Sequence, residues 1–152
     1  MKILYVIIMM LFLGMVSCSE DNLKGYSSSN CIQFDKLSKD STVFSFAYDE
    51  TLESGTVALK LVMISPLVDR DRKYNVKFLQ DESSAQAGVD FEMPAEEQVI
   101  AANDSVAYLN VIVKRNKALK GSAIAVFEVQ VSDDFMPGIE ANRKGRIFIT
   151  NQ

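Results

Sequence analysis

Histidine and tryptophan are both absent from this chain of 152 residues. Without histidine the protein lacks the side chain most often used as a general base and as a metal ligand. The twenty acidic residues could supply a glycosidase-like pair, but their abundance indicates nothing without geometry. We therefore expect a protein that is not an enzyme and that has no cofactor.

The lack of tryptophan also removes the aromatic side chain best suited to stacking on a sugar ring. Four tyrosines could stack on a sugar ring in its place: Tyr26, Tyr48, Tyr74 and Tyr108. Tyr74 lies on an alternating apolar face, so we expect it in the core. The sequence therefore disfavours direct glycan binding.

The chain has no excess of positive charge, since its net charge is -4 and its acids and bases are interspersed. The two longest basic clusters, 69–73 and 114–117, are short or neutralised by neighbours, which argues against a nucleic-acid partner. A hydrophobic content of 48% and a charged content of 24% are typical of a folded protein. The length suits one domain.

Only one long hydrophobic run is present, and it follows Met1 and Lys2 directly. Residues 3–16 are apolar or glycine on every face, which disfavours a buried helix with a polar side. A membrane-spanning helix needs roughly 20 such residues, so this run is short for a span and typical of a secretory signal. We predict a signal peptide over residues 1–17.

The signal ends in Met15-Val-Ser-Cys18, which resembles the bacterial lipobox. That resemblance implies that Cys18 is diacylated on sulphur and becomes the first residue of the mature protein; the alternative is an ordinary signal peptide cut nearby. Ser19, Glu20 and Asp21 resemble the surface-export signal of Bacteroidetes lipoproteins. Because two acyl chains anchor a protein stably, we expect attachment to the outer membrane with exposure at the cell surface.

Acylation of Cys18 leaves Cys31 without a partner in the chain, so we expect no intramolecular disulfide. We expect Cys31 to be a small buried residue rather than a nucleophile. Residues 18–30 are polar, without apolar periodicity, and predict a lipidated N-terminal tether.

Residues 31–152 carry repeated period-two patterns that predict short strands. The predicted strands are 32–35, 43–48, 56–63, 74–78, 98–101, 109–114, 127–131 and 146–150. Turn signals separate them at 53–55, 87–90, 120–121 and 136–138. Regularly spaced strands without helical patterns predict an all-β domain, an antiparallel immunoglobulin-like β-sandwich of about seven or eight strands.

The order of motifs resembles Calx-beta-type domains, because Asp71-Arg72 opens an alternating strand and 85–91 has the pattern A-x-x-G-x-D-[YF]. In that segment Gly88 and Asp90 predict a fixed turn. The stretches 99–106 and 109–115, with Leu119 and then Val129 to Phe135, resemble more narrowly a Bacteroidetes surface lipoprotein family of unknown function.

Calx-beta domains of animal exchangers bind calcium through acidic loops. The resemblance therefore makes six acids candidate calcium ligands: Asp69, Asp71, Asp81, Glu82, Asp133 and Asp134. Calcium needs six to eight oxygen ligands. The family's acidic run before the penultimate strand is replaced here by the basic stretch 114–120. We therefore expect no metal site, with these acids as solvated loop charges and Arg72 paired to a nearby acid.

Two short segments, Asp40-Ser41-Thr42 and Asp104-Ser105-Val106, resemble the sequon at which exported Bacteroidetes proteins are O-glycosylated. The resemblance makes Ser41 and Ser105 candidate modification sites.

The family resemblance implies a non-catalytic binding or interaction module that is accessory to a TonB-dependent importer of glycans or peptides. Its expected partners are the outer membrane, through the acyl chains on Cys18, and the importer with its own surface lipoprotein. The alternative is an adhesive or structural surface protein that binds host or matrix components.

Replacing Cys18 by alanine tests the lipid anchor. We expect Cys18→Ala to abolish metabolic labelling with palmitate, because the acyl chains are attached through this sulphur, whereas the control Cys31→Ala should remain labelled. Undiminished labelling of the Cys18 variant would contradict the lipobox interpretation.

Overall fold

The computed structural model describes residues 30–35 and 42–151. Nine strands form there: β1 Cys31–Phe34, β2 Thr42–Ser45, β3 Ser54–Ile64, β4 Arg72–Phe78, β5 Glu97–Ile100, β6 Val106–Lys114, β7 Ser122–Gln130, β8 Met136–Pro137 and β9 Lys144–Thr150. The described helices are two single 3-10 turns, Gln80–Glu82 and Glu140–Asn142. None of them is long and apolar enough to cross a membrane.

Several predictions fall outside the described residues. They are the signal peptide 1–17, the tether 18–30 except for Asn30, the lipidation site Cys18, the export signal Ser19, Glu20 and Asp21, and the candidate glycosylation site Ser41.

Two sheets pack face to face. One has the order β6-β3-β1-β8, and the other has the order β2-β9-β7-β4-β5. Alternate side chains point between the sheets, so that Val57, Leu59 and Leu61 of β3 are buried while the residues between them are exposed. The predicted all-β sandwich is confirmed.

The structure differs from the prediction in two details: it has nine strands where about seven or eight were expected, and two of its strand pairings are parallel. Met136–Pro137, expected as part of a turn, forms β8 and pairs in parallel with β1. Strand β2 also pairs in parallel, with β9. The first part of the domain contributes one short strand to each sheet. Strand β1 lies between β3, which it meets in antiparallel sense, and β8, whereas β2 lies at the sheet edge beside β9.

The prediction also missed the first half of β7, which begins at Ser122 rather than at residue 127. Val126 is buried outside the main core cluster, which breaks the period-two signal there. Segment 79–85 runs beside this half, and its Leu79 N–H donates to the Val126 carbonyl at 2.9 Å. Apolar residues on both faces of a strand give no alternation in the sequence.

The core is rich in aromatic side chains at the end of the sandwich where β4 ends. Phe78, Phe91 and Phe127 are in mutual contact, with ring centroids 5.0–5.7 Å apart. Tyr74 is buried as predicted, and its burial raises the pKa of the phenol to about 12. The phenol therefore stays neutral across the physiological range.

A buried arginine fastens the loops at the end of the sandwich where β4 begins. Arg72 is 2% exposed, and its Nη1 donates to Ser65 Oγ at 2.8 Å and to the Pro66 carbonyl at 3.3 Å. Its Nη2 donates to the Asp104 carbonyl at 3.3 Å, and its guanidinium lies 4.9 Å from the ring centroid of Phe135. Three loops are thus tied to one side chain.

A second arginine, Arg115, fastens one loop at the opposite end of the sandwich. The Arg115 guanidinium donates to the main-chain carbonyls of Phe46 at 2.7 Å, Asp49 at 2.5 Å and Leu52 at 2.7 Å. It also lies 5.0 Å from the ring centroid of Phe46. The fork of the guanidinium reaches carbonyls that a lysine ammonium could not all reach at once.

Replacing Arg115 by lysine should therefore destabilise the domain while keeping its charge. We expect a loss of about 1–3 kcal/mol in the free energy of unfolding, because at least one of the three carbonyls loses its donor. Urea denaturation measures it. The matched control is Arg146→Lys on the outer face of β9, which should change the free energy by less than about 0.5 kcal/mol; equal effects would contradict the role of Arg115.

Candidate functional site

A polar groove crosses the outer face of the five-stranded sheet. Strand β4 buries Arg72, Tyr74 and Val76, so the alternate residues Lys73 and Asn75 point away from the core. Asn75 is opposite Glu97 of β5 on one side and opposite Gln130 of β7 on the other. The register of three strands therefore gathers these side chains.

The groove consists of two adjoining cavities that share Asn75 and Glu97. The first has a volume of about 220 Å³ and is lined by Asn75, Val76, Lys77, Glu96, Glu97 and Gln130. The second has a volume of about 210 Å³ and is lined by Lys73, Asn75, Glu97, Val131, Ser132 and Asp133. Most of the lining residues carry an amide, hydroxyl or charged group, although the aliphatic parts of the side chains provide much of the exposed lining.

Hydrogen bonds inside the groove hold the two amide side chains in place. Asn75 Nδ2 donates to the Val131 carbonyl at 3.3 Å. Gln130 Nε2 donates to Glu128 Oε2 at 2.9 Å. A primary amide has two N–H donors and one carbonyl acceptor, so each side chain keeps capacity for a ligand.

The charges of the groove are mixed. Lys73 Nζ lies 2.8 Å from Glu97 Oε1, and the hydrogen bond to this carboxylate raises the lysine pKa. Glu96, Asp133 and Lys77 line the same groove. This arrangement can hydrogen-bond a polar, hydroxyl-rich or amide-rich ligand without demanding a strong charge on it.

The six acids considered for calcium are not brought together. Asp134 lies 2.5 Å from Arg70 and accepts the Lys73 N–H at 2.8 Å. Asp71 accepts the Ala102 N–H at 3.0 Å. Glu82 pairs with Lys144 at the other end of the sandwich. In the part of the chain that the structure describes, no three acidic or sulphur-bearing residues converge to hold a metal.

The predicted pairing of Arg72 with an acid was wrong. Arg72 donates to a hydroxyl and to carbonyls, and it forms no ion pair among residues 30–35 and 42–151. Arg70 forms the ion pair instead, because Arg72 points inward on β4 while Arg70 lies exposed in the preceding loop.

The turn predicted at Gly88 and Asp90 is confirmed. Gly88 has a φ of +84°, which favours glycine. Asp90 is 3% exposed and accepts hydrogen bonds from the Gln86 N–H and from Asn116 Nδ2, both at 2.7 Å. Asp90 is therefore a structural acid.

Two other sequence candidates have defined surroundings. Ser105 is exposed directly before β6, so its hydroxyl is accessible to a modifying enzyme. Cys31 is a half-buried free thiol, less enclosed than expected.

The groove residues themselves were missed by the sequence analysis. The period-two pattern of 74–78 implies that Asn75 and Lys77 point outward, but which residues of β5 and β7 lie beside them depends on strand register. The only sequence signal was the polar half of the pattern KYNVKF.

The family described as "Domain of unknown function (DUF4843)" matches residues 24–152. The chain belongs to this family. No curated protein matches the chain significantly.

Solved structures resemble this DUF4843 domain in fold alone. The apo-form Calx CBD1 domain has 9% identity and a TM-score of 0.60, over 82% of this chain and 98% of that chain. A candidate carbohydrate binding protein from Bacteroides ovatus has 12% identity and a TM-score of 0.53, over 80% of this chain and 37% of that chain. A two-domain protein of unknown function from Bacteroides fragilis has 9% identity and a TM-score of 0.53, over 90% of this chain and 51% of that chain.

Acid titration of Asp134 tests its place beside the groove. The hydrogen bond from Arg70, and then that from the Lys73 N–H, lower the pKa of this carboxyl below 3.8. A lowered pKa in the folded state stabilises the fold above the unfolded pKa, and this stabilisation is lost as the pH falls from 3.8 through the lowered value.

We therefore expect Asp134→Asn to lower the Tm at neutral pH, with a difference from the unmodified protein that shrinks as the pH is lowered through this range. Thermal unfolding followed by circular dichroism at several pH values measures it. The exposed neighbour Asp133 provides the control variant Asp133→Asn; a Tm difference independent of pH would contradict the assignment.

Proposed function

We propose that this protein is a lipid-anchored, non-catalytic binding module of the outer-membrane surface, accessory to a TonB-dependent nutrient importer. The groove around Asn75 is its ligand-contacting surface. The observation that carries the proposal is the gathering of Asn75, Gln130 and Glu97 on one open sheet face, with cavities on both sides of Asn75.

The chemistry of the groove favours a carbohydrate chain as ligand. Amides and carboxylates provide planar donors and acceptors that match sugar hydroxyls, and the adjoining cavities suit successive units of an extended chain. No tryptophan is available for ring stacking, so hydrogen bonds have to provide the affinity. The fold shared with the Bacteroides ovatus protein named for carbohydrate binding agrees with this choice.

The position of β1 agrees with a tethered domain whose groove is free. The described chain enters at Asn30 and continues into β1, which belongs to the four-stranded sheet. The groove lies on the outer face of the other sheet. A tether attached at Cys18 would reach up to about 40 Å when extended, enough to hold the domain clear of the lipid.

Titration with a panel of neutral and acidic oligosaccharides tests the groove. We expect the double variant Asn75→Ala/Gln130→Ala to bind roughly tenfold more weakly than the unmodified protein, because two ligand hydrogen bonds are lost. Isothermal titration calorimetry provides the affinities.

The control variant is Thr56→Ala, on the outer face of the opposite sheet, which should bind normally. Unchanged affinity of the double variant would exclude the groove, and absence of binding to every oligosaccharide would exclude a carbohydrate ligand.

A further inference from the structure

Strand β6 has an open edge over residues 106–110. In the ladder between β3 and β6 the odd-numbered residues of β6 face β3, as the 3.0 Å bond from Met63 N–H to the Ser105 carbonyl shows. The main-chain groups of Val106, Tyr108 and Asn110 therefore point away from the sheet. Among the described residues none of these groups has a main-chain partner.

Beyond Asn110, the same edge of β6 is already paired with the segment 90–92 of the chain itself. Lys114 N–H donates to the Asp90 carbonyl, and Glu92 N–H donates to the Ile112 carbonyl, both at 2.8 Å. Phe91 is bridged to Val113 in antiparallel sense. The chain then leaves the edge near Pro94, so that its own strand-like segment stops before Asn110.

The open stretch lacks the devices that usually protect an edge strand. Its sequence Val-Ala-Tyr-Leu-Asn has no charge and no proline. The nearest lysines are engaged: Lys60 with Asp35 at 2.7 Å, and Lys114 with Glu92 at 3.1 Å. Tyr108 is 53% exposed on the outer face beside this edge.

We propose that a second copy of this chain pairs with this edge, and that β6 meets β6 in antiparallel sense about a twofold axis at Tyr108. A twofold axis places residue 106 opposite residue 110, so Val106, Tyr108 and Asn110 of both copies exchange all their free main-chain bonds. Because the stretch is uncharged, two copies of it can pair without charge repulsion. A closed twofold pair also leaves none of the outward main-chain groups of residues 106–110 without a partner.

The pairing joins the two four-stranded sheets into one continuous sheet. The groove lies on the outer face of the five-stranded sheet, so it stays accessible in both copies. Dimer formation therefore does not depend on ligand binding in the groove, and experiment can contradict one proposal without the other.

Cysteine cross-linking in the full chain tests the pairing. Residues opposite each other in a hydrogen-bonded antiparallel pair have Cα atoms about 5.5 Å apart, within the range that a disulfide spans. We expect Tyr108→Cys, in a Cys31→Ser background and expressed in a Bacteroidetes host, to give a disulfide-linked dimer on a non-reducing gel. The matched control, Ala58→Cys, is also exposed on this face but lies on β3, one strand in from the edge, and should remain a monomer.

A second variant separates pairing from folding. Asn110→Pro removes an N–H that points to the open edge and leaves the ladder to β3 intact, which edge strands tolerate. We expect unchanged circular dichroism and a dimer weakened roughly tenfold, measured by sedimentation of the detergent-solubilised protein. A monomeric mass for the unmodified protein, or equal cross-linking of the Tyr108 and Ala58 variants, would overturn the proposal.

Discussion

The loops at both ends of this sandwich depend on guanidinium groups that bind main-chain carbonyls. Arg115 holds three carbonyls of one loop, while Arg72 ties three loops together and is almost completely buried. A buried charge is stable only while its hydrogen bonds are made. Opening the loops that Arg72 contacts would break these bonds and would therefore cost much free energy. Arg115 lies within the basic stretch 114–120, so a covalently tethered cation organises this end of the sandwich.

Two surfaces away from the ends of the sandwich are proposed to bind partners, and they differ in chemistry: the outer face of the five-stranded sheet and the open edge of the four-stranded sheet. The five-stranded sheet presents amides and paired charges around Asn75, whereas the four-stranded sheet ends in the uncharged open edge of β6. A ligand that exchanges hydrogen bonds with side chains suits the first surface, and a strand that exchanges main-chain bonds suits the second. Both surfaces can be occupied at once because they belong to different sheets.

Local patterns predicted much of this architecture. The alternation of Val57, Leu59 and Leu61 predicted β3 and its buried face. The turn at 87–90 was predicted from Gly88, because glycine readily adopts a positive φ. Strand β8 was missed because a two-residue strand containing Pro137 has no period, and because its pairing with β1 is long-range. The meeting of Asn75 with Gln130 depends on a register set between residues far apart in the chain, so no local pattern could predict the groove. Arg72 was expected to pair with an acid, and its inward position was missed because β4 begins at Arg72, two residues before the predicted strand 74–78.

The most direct test of the proposed function is purification of the tagged native protein from the membranes of its own host in mild detergent, with the co-purifying proteins identified by mass spectrometry. The account predicts recovery of a TonB-dependent β-barrel importer together with that importer's surface lipoprotein. Recovery of the protein without an importer, although it is displayed on the cell, would contradict the account and would favour an adhesive or structural role.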